Sequence, residues 1–153
     1  MSKHGGDILT IQQVKQWLNR AYGIDSEINE LLREQKKSFA HAVNATSSMG
    51  NEKTQVSKGN TSEKKFVEYA AYSERIDRRI DELYVVKQEI LSAINKLDDS
   101  RLRTLLIARY INFRTWDDIA YNMNYSRMHV YRLHGLALQK IKDVIECYIA
   151  PVI

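Results

Sequence analysis

Between Arg127 and Arg132 the chain reads RMHVYR, with two arginines, a methionine, a histidine and a tyrosine but no acid. A guanidinium offers its N–H donors in a planar fork, which meets a phosphate, or O6 and N7 of a guanine, in pairs. Methionine and tyrosine add apolar reach of the kind that touches a thymine methyl. A solvated helix face normally mixes glutamate with lysine, so an acid-free basic face suits a polyanion better than water. Ser126, just before the run, is a good helix cap. At about 100° per residue, Val130, Leu133 and Ala137 share one face of the helix that Ser126 starts. Met128, Tyr131, Arg132 and Gly135 lie opposite, with Arg127 and His129 on the flanks. Gly135 has no side chain, which permits close approach of another backbone to that outer face.

The residues upstream are of the kind needed to position this helix. Thr115-Trp116-Asp117-Asp118 reads as a helix start. It has a capping threonine, an acid three places on that can reach back to the cap amide, and two carboxylates at the positive end of the dipole. Ile119, Ala120 and Met123 give this short helix an inward face, and Asn122-Met123-Asn124-Tyr125 makes a turn. Before it, Arg101 to Ile111 reads as a helix with Leu102, Leu105, Leu106 and Tyr110 toward a core, and Asn112-Phe113-Arg114 as a short break. From about Thr115 to Ile141 the order is that of a helix-turn-helix, whose second helix enters the major groove of double-stranded DNA. Charge agrees with that placement. From Arg101 onward eight lysines and arginines face four acids, whereas the first hundred residues hold fifteen of each, so the formal charge of +4 belongs to the last third.

The stretch RYINFRTWDDIAYNMNYSRMHVYRLHGLALQKI resembles region 4 of bacterial sigma factors, which binds the −35 promoter element, over roughly residues 101–145. It is closer still to small phage-encoded proteins of Gram-positive bacteria that join a helical amino-terminal part to a sigma-like helix-turn-helix. These are regarded as transcription regulators akin to the ArpU/RinA type that controls late genes. The resemblance implies that Arg127, Met128, Tyr131 and Arg132 face the groove and that Arg114, Thr115 and Ser126 lie near phosphates. Sigma factors commonly carry a glutamate where Met128 stands. Methionine cannot accept from cytosine as that acid does, which points away from a standard −35 sequence. No segment resembles the region of a sigma factor that opens the −10 element.

The chain as a whole reads as all-α: one proline, six glycines, and long runs of helix-forming residues. Residues 1–99 read as a helical coiled-coil region and 100–153 as the sigma region 4-like domain. In the first part, Ile8, Ile11, Val14, Trp17, Leu18 and Ala21 mark one helical face. Gly23 then interrupts, and Asp25 or Ser26 caps a second piece carrying Ile28, Leu31, Leu32, Phe39 and Val43. Residues 44–62, NATSSMGNEKTQVSKGNTS, read as a flexible linker. Beyond it a long helix carries Ile76, Ile80, Leu83, Ile90, Ile94 and Leu97 on a seam of alternating threes and fours, with Lys87 as its one polar position. Such a seam needs a partner: the first region folded back, or a second copy of the chain in a homodimer through residues 63–97.

Other chemistries find little to work with. His4, His41, His129 and His134 are scattered, no nucleophile motif or phosphate loop is present, and His129 and His134 are spaced poorly for a shared metal. No catalytic residue, metal or cofactor is therefore expected. Cys147 reads as a small apolar residue on the last helix. MSKHGGDILT lacks the apolar core of a signal peptide and no run is long enough to cross a membrane, so the expected location is the cytoplasm of a bacterial host. Two functions stand as expectations. One is a sequence-specific regulator that reads DNA. The other is a protein-interaction module that mimics sigma region 4 and docks on host RNA polymerase or another host machine.

Overall fold

The computed structural model describes residues 9–47 and 57–149, which are all-helical: six α-helices and no strand among the described residues. Helix α1 (Ile11–Leu18) opens on a reciprocal cap that the reading of the sequence missed. The Gln13 amide donates to Thr10 Oγ1 (3.2 Å), and the Thr10 amide donates to Gln13 Oε1 (2.8 Å). Val14, Trp17 and Leu18 are its buried face. The break that follows lies at Asn19 and not at Gly23, because α2 (Arg20–Ser47) runs through the glycine. A Cβ on Gly23 would meet nothing within 4 Å, so the site asks only that the helix absorb about 1 kcal/mol of propensity. Helix α3 is Ser57–Ile94. The supposed linker is thus helical at both ends, 44–47 and 57–62. Its middle, 48–56, lies outside the described residues, as does Ile8.

Contacts divide the chain into two compact units, residues 24–84 and the chain up to Gly23 together with the chain from Val85. In the 24–84 unit α2 and α3 run antiparallel, since partners on α3 descend as numbers on α2 rise. Arg79 Nε meets Glu27 Oε1 at 3.1 Å, Gln35 Nε2 donates to Ser73 Oγ at 2.5 Å, and the Phe39 and Tyr69 rings lie 5.5 Å apart. The seam is therefore covered by the chain's own first region. Ile28 and Ile76 are buried, but Ile80 is exposed and Leu83 half-buried. A single neighbouring helix covers a narrower stripe than a bundle does, and Arg79, paired with Glu27, takes the facing position beside Ile80.

In the other unit α4 (Ser100–Leu106), capped by Asp99, continues as a π turn at Ile107–Ile111, and α5 (Trp116–Met123) and α6 (Arg127–Ile149) follow. Helix α6 is the hub and packs against α1, α4 and α5. Val130, Leu133, Ala137, Leu138, Ile141 and Ile145 are all buried, as the 3.6-residue period requires. The sequence sets a boundary at 99/100, where Asp98-Asp99-Ser100 closes the long helix, and contacts group the residues from Val85 onward with the chain up to Gly23. The apolar face of α6 is longer than α4 and α5 can cover, so α1 and the buried Ile90, Ala93 and Ile94 of α3 join the same core. Trp17 of α1 lies 5.5 Å from Tyr148 near the far end of α6.

Candidate nucleic-acid interface

The site is set up from the π turn onward. Its wide i→i−5 bond, Asn112 to the Ile107 carbonyl at 3.0 Å, is followed by an Arg114 amide that reaches back to Ala108 at 3.0 Å. Between them Phe113 has φ 55°, a left-handed conformation that costs a residue with a Cβ roughly 1–2 kcal/mol. The Phe113 ring offsets that cost by packing edge-on to Tyr22 (5.5 Å) with the Lys87 ammonium 4.8 Å from its centroid. Lys87, the polar position of the expected seam, thus serves the exit from this helix.

Arg109 fixes the entry to α5. It donates to the Arg114 carbonyl at 2.9 Å while its guanidinium lies 4.4 Å from the Trp116 centroid. Thr115 caps α5 by accepting from the Asp118 amide at 3.2 Å. The expected return bond from the Asp118 carboxylate to the cap is not formed. At the other end Asn124 takes φ 59°, ψ 41°, and the Tyr125 amide reaches the Ala120 carbonyl at 3.0 Å. This is the left-handed stop that asparagine tolerates better than most residues. Ser126 then caps α6 by accepting from the His129 amide at 3.2 Å, and Tyr125 packs edge-on to the His129 ring at 4.5 Å.

Beneath the outer face lies a polar pair that the sequence did not disclose. Tyr110 and His134 are buried and 2.7 Å apart, with Trp116 4.6 Å from the imidazole. Burial, helped by the charges of Lys15 and Arg109, holds His134 down to about 4, and burial pushes Tyr110 up to about 12. Both are therefore neutral at pH 7, and a single hydrogen bond joins the phenol oxygen to imidazole Nε2, with the donor set by the imidazole tautomer. The bond ties the π turn to α6, and Trp116 adds α5 by touching His134 below and Tyr131 (5.4 Å) above. The direction of the α6 face thus follows from the core beneath it. His134 does lie on the same stripe as Val130, Leu133 and Ala137, which was the available signal.

The eight expected site residues come together at the starts of α5 and α6 in differing states. Met128 is 71% exposed, Tyr131, Arg132 and Gly135 are exposed, and His129 is half-buried against Tyr125. Arg114 and Arg132 have exposed side chains with no ion pair among the described residues. The Thr115 and Ser126 hydroxyl oxygens serve as caps. Arg127 carries a contact that the sequence did not show. Its Nε lies 2.8 Å from Asp117 Oδ1 and a second guanidinium nitrogen meets the same oxygen, so this fork is engaged within the protein. The cause is spacing across the turn, which sets the first turns of α5 and α6 side by side. No three potential metal ligands cluster, and no helix is long and apolar enough to cross a membrane, among the described residues.

The sequence profile of a family described as a protein of unknown function, DUF1492, matches residues 43–142. This chain belongs to the DUF1492 family. No curated protein and no solved structure matches it. The DUF1492 match takes in all of α3, α4 and α5 and most of α6, and so every residue of the outer face, while α1 lies outside it. Gly135 gives this DUF1492 surface a simple test. A Cβ there would meet nothing within 4 Å, so Gly135→Ala should raise stability by about 0.5–1 kcal/mol in a thermal melt. If the outer face lies against a nucleic-acid backbone at Gly135, the same variant binds DNA more weakly while melting higher.

Proposed function

We propose that the chain is a sequence-specific, double-stranded-DNA-binding regulator of phage or prophage transcription that reads the major groove with the amino-terminal half of α6. The observation that carries this reading is the outer face itself. Arg132, Met128 and Tyr131 stand exposed together on a helix start that is braced from below through Trp116, His134 and Tyr110. Arg114 and the cap residues Thr115 and Ser126 border it, in the places where phosphate contacts orient such helices. The likeness to sigma region 4 supplies the docking mode, and Met128 favours a target other than the standard −35 element. Selection of bound fragments from a random DNA pool tests the proposal: one enriched motif is expected, with binding that falls steeply as salt rises through counterion release. Recovery of unenriched sequence would defeat it.

A second reading has its own observation. Tyr121 on α5 is 87% exposed, and with Met128 it gives the surface an apolar component suited to a protein partner. In this reading the chain mimics sigma region 4 and docks on host RNA polymerase. Capture of polymerase that survives nuclease treatment and persists at high salt favours it over DNA reading.

A further inference from the structure

On one flank of the 24–84 pair, five large apolar side chains are left to water. Leu32 and Phe39 on α2, and Phe66, Ile80 and Tyr84 on α3, are each between 42% and 66% exposed. At about 100° per residue Leu32 and Phe39 fall within roughly 20° of one another, and Phe66, Ile80 and Tyr84 within roughly 40°. Both stripes are offset in the same rotational sense from the residues that face the partner helix, Ile28 and Gln35 on α2, Tyr69 and Ile76 on α3. In an antiparallel pair equal offsets lie on the same side, so the stripes join into one apolar band. The facing seam of α3 is already taken by α2, and this band runs along the edge of that seam, with Phe39 reaching Tyr69 from it.

We propose that the band receives a second copy of this chain, two hairpins packing antiparallel about a two-fold axis that passes near Leu32. Its size fits that occupant. At about 200 Å² for a large apolar residue, half exposure leaves on the order of 500 Å² per chain, as large as the biggest patch a monomer usually shows. Doubled by self-association it reaches roughly 1,000 Å², the area at which specific interfaces begin. Charge fits as well. Lys36 and Asp77 border the band on α2 and α3, neither in an ion pair among the described residues. The register of the pair sets Lys36 and Asp77 on opposite sides of the Leu32 level, so the two-fold brings each lysine to the mate's aspartate. The same operation lays Phe39 and Phe66 over Ile80 and Tyr84 of the mate, and meets the isologous pattern of self-complementary dimers.

Sedimentation equilibrium on the full chain, from about 1 to 100 µM, is the test. A dimer is expected, and Leu32→Lys/Ile80→Lys should weaken it at least about a hundredfold with helical circular dichroism retained. Tyr121→Lys, on an exposed residue outside the hairpin, should leave the dimer intact. Should the double variant unfold, Leu32→Cys in a Cys147→Ser background decides the matter, because a thiol beside the axis forms a disulfide with its own copy on oxidation. A monomeric wild type at about 100 µM overturns the proposal and leaves the band to a helix of another protein. A dimer indifferent to the lysines, or a Leu32→Cys chain that does not cross-link, overturns it equally.

Discussion

Arg132→Ala is expected to weaken specific DNA binding by about 1–3 kcal/mol, roughly 5- to 150-fold, without lowering the melting temperature. The side chain is exposed and bonds to nothing among the described residues, so its removal costs the fold no contact and, on the proposed function, takes away only a DNA contact. Arg127→Ala should cost less. Its guanidinium already meets Asp117, so groove contact requires that ion pair to open, and both side chains are more than half exposed, so water screens the pair heavily. Asp117→Asn should therefore tighten binding a few-fold, by releasing Arg127 and by removing a negative charge from the face proposed to meet phosphate. Fluorescence anisotropy on the selected motif, at two salt concentrations, ranks the three variants. If Asp117→Asn instead weakens binding, Asp117 is holding Arg127 in its reading position and does not compete with DNA for it.

The second large effect is on stability. His134 is held down to about 4 in the folded chain against about 6.5 when unfolded, so the unfolded chain takes up a proton first as pH falls. The stabilisation is whole above pH 6.5 and is lost as pH falls from there through 4, on the order of 3 kcal/mol at most. Tyr110 acts in the opposite direction at alkaline pH. Its raised value, about 12, means stability declines as pH climbs beyond 10. In Tyr110→Phe/His134→Leu both partners become apolar together, which avoids an orphaned polar atom. Chemical denaturation at pH 7 and pH 4.5 should show a clearly smaller loss for the double variant than for wild type. Equal losses would mean that the acid sensitivity resides in the carboxylates.

Much of the fold was legible because burial imposes a period. Val130, Leu133 and Ala137 had to share a face, as did Leu102, Leu105, Leu106 and Tyr110, and all seven are buried. The caps at Thr115 and Ser126 were legible from residue type alone. Where a local signal competes with tertiary packing it misleads: Gly23 did not break α2, and the polar residues at 44–47 and 57–62 continue their helices. A long-range pair leaves no mark in local sequence, so the Arg127–Asp117 fork and the Tyr110–His134 bond could not be read. The helix wheel puts Arg127 only on the flank of the outer face and the sigma resemblance implies a groove-facing role, but its engagement depends on a side chain ten residues away in another helix.

The way α1 returns to cover α6 has a consequence for how this chain can be altered. Its amino-terminal helix and its carboxy-terminal helices belong to one discontinuous domain, and residues 24–84 are an excursion inserted in the middle. An excised fragment from Ser100 onward would lack the Val14, Trp17 and Leu18 side of its own core and should not fold as a self-sufficient module. The excursion, in contrast, can be shortened: removing two turns, about seven residues, from α2 and the matching seven from α3 preserves the face of each helix. The chain is therefore modular in its interior and indivisible at its ends.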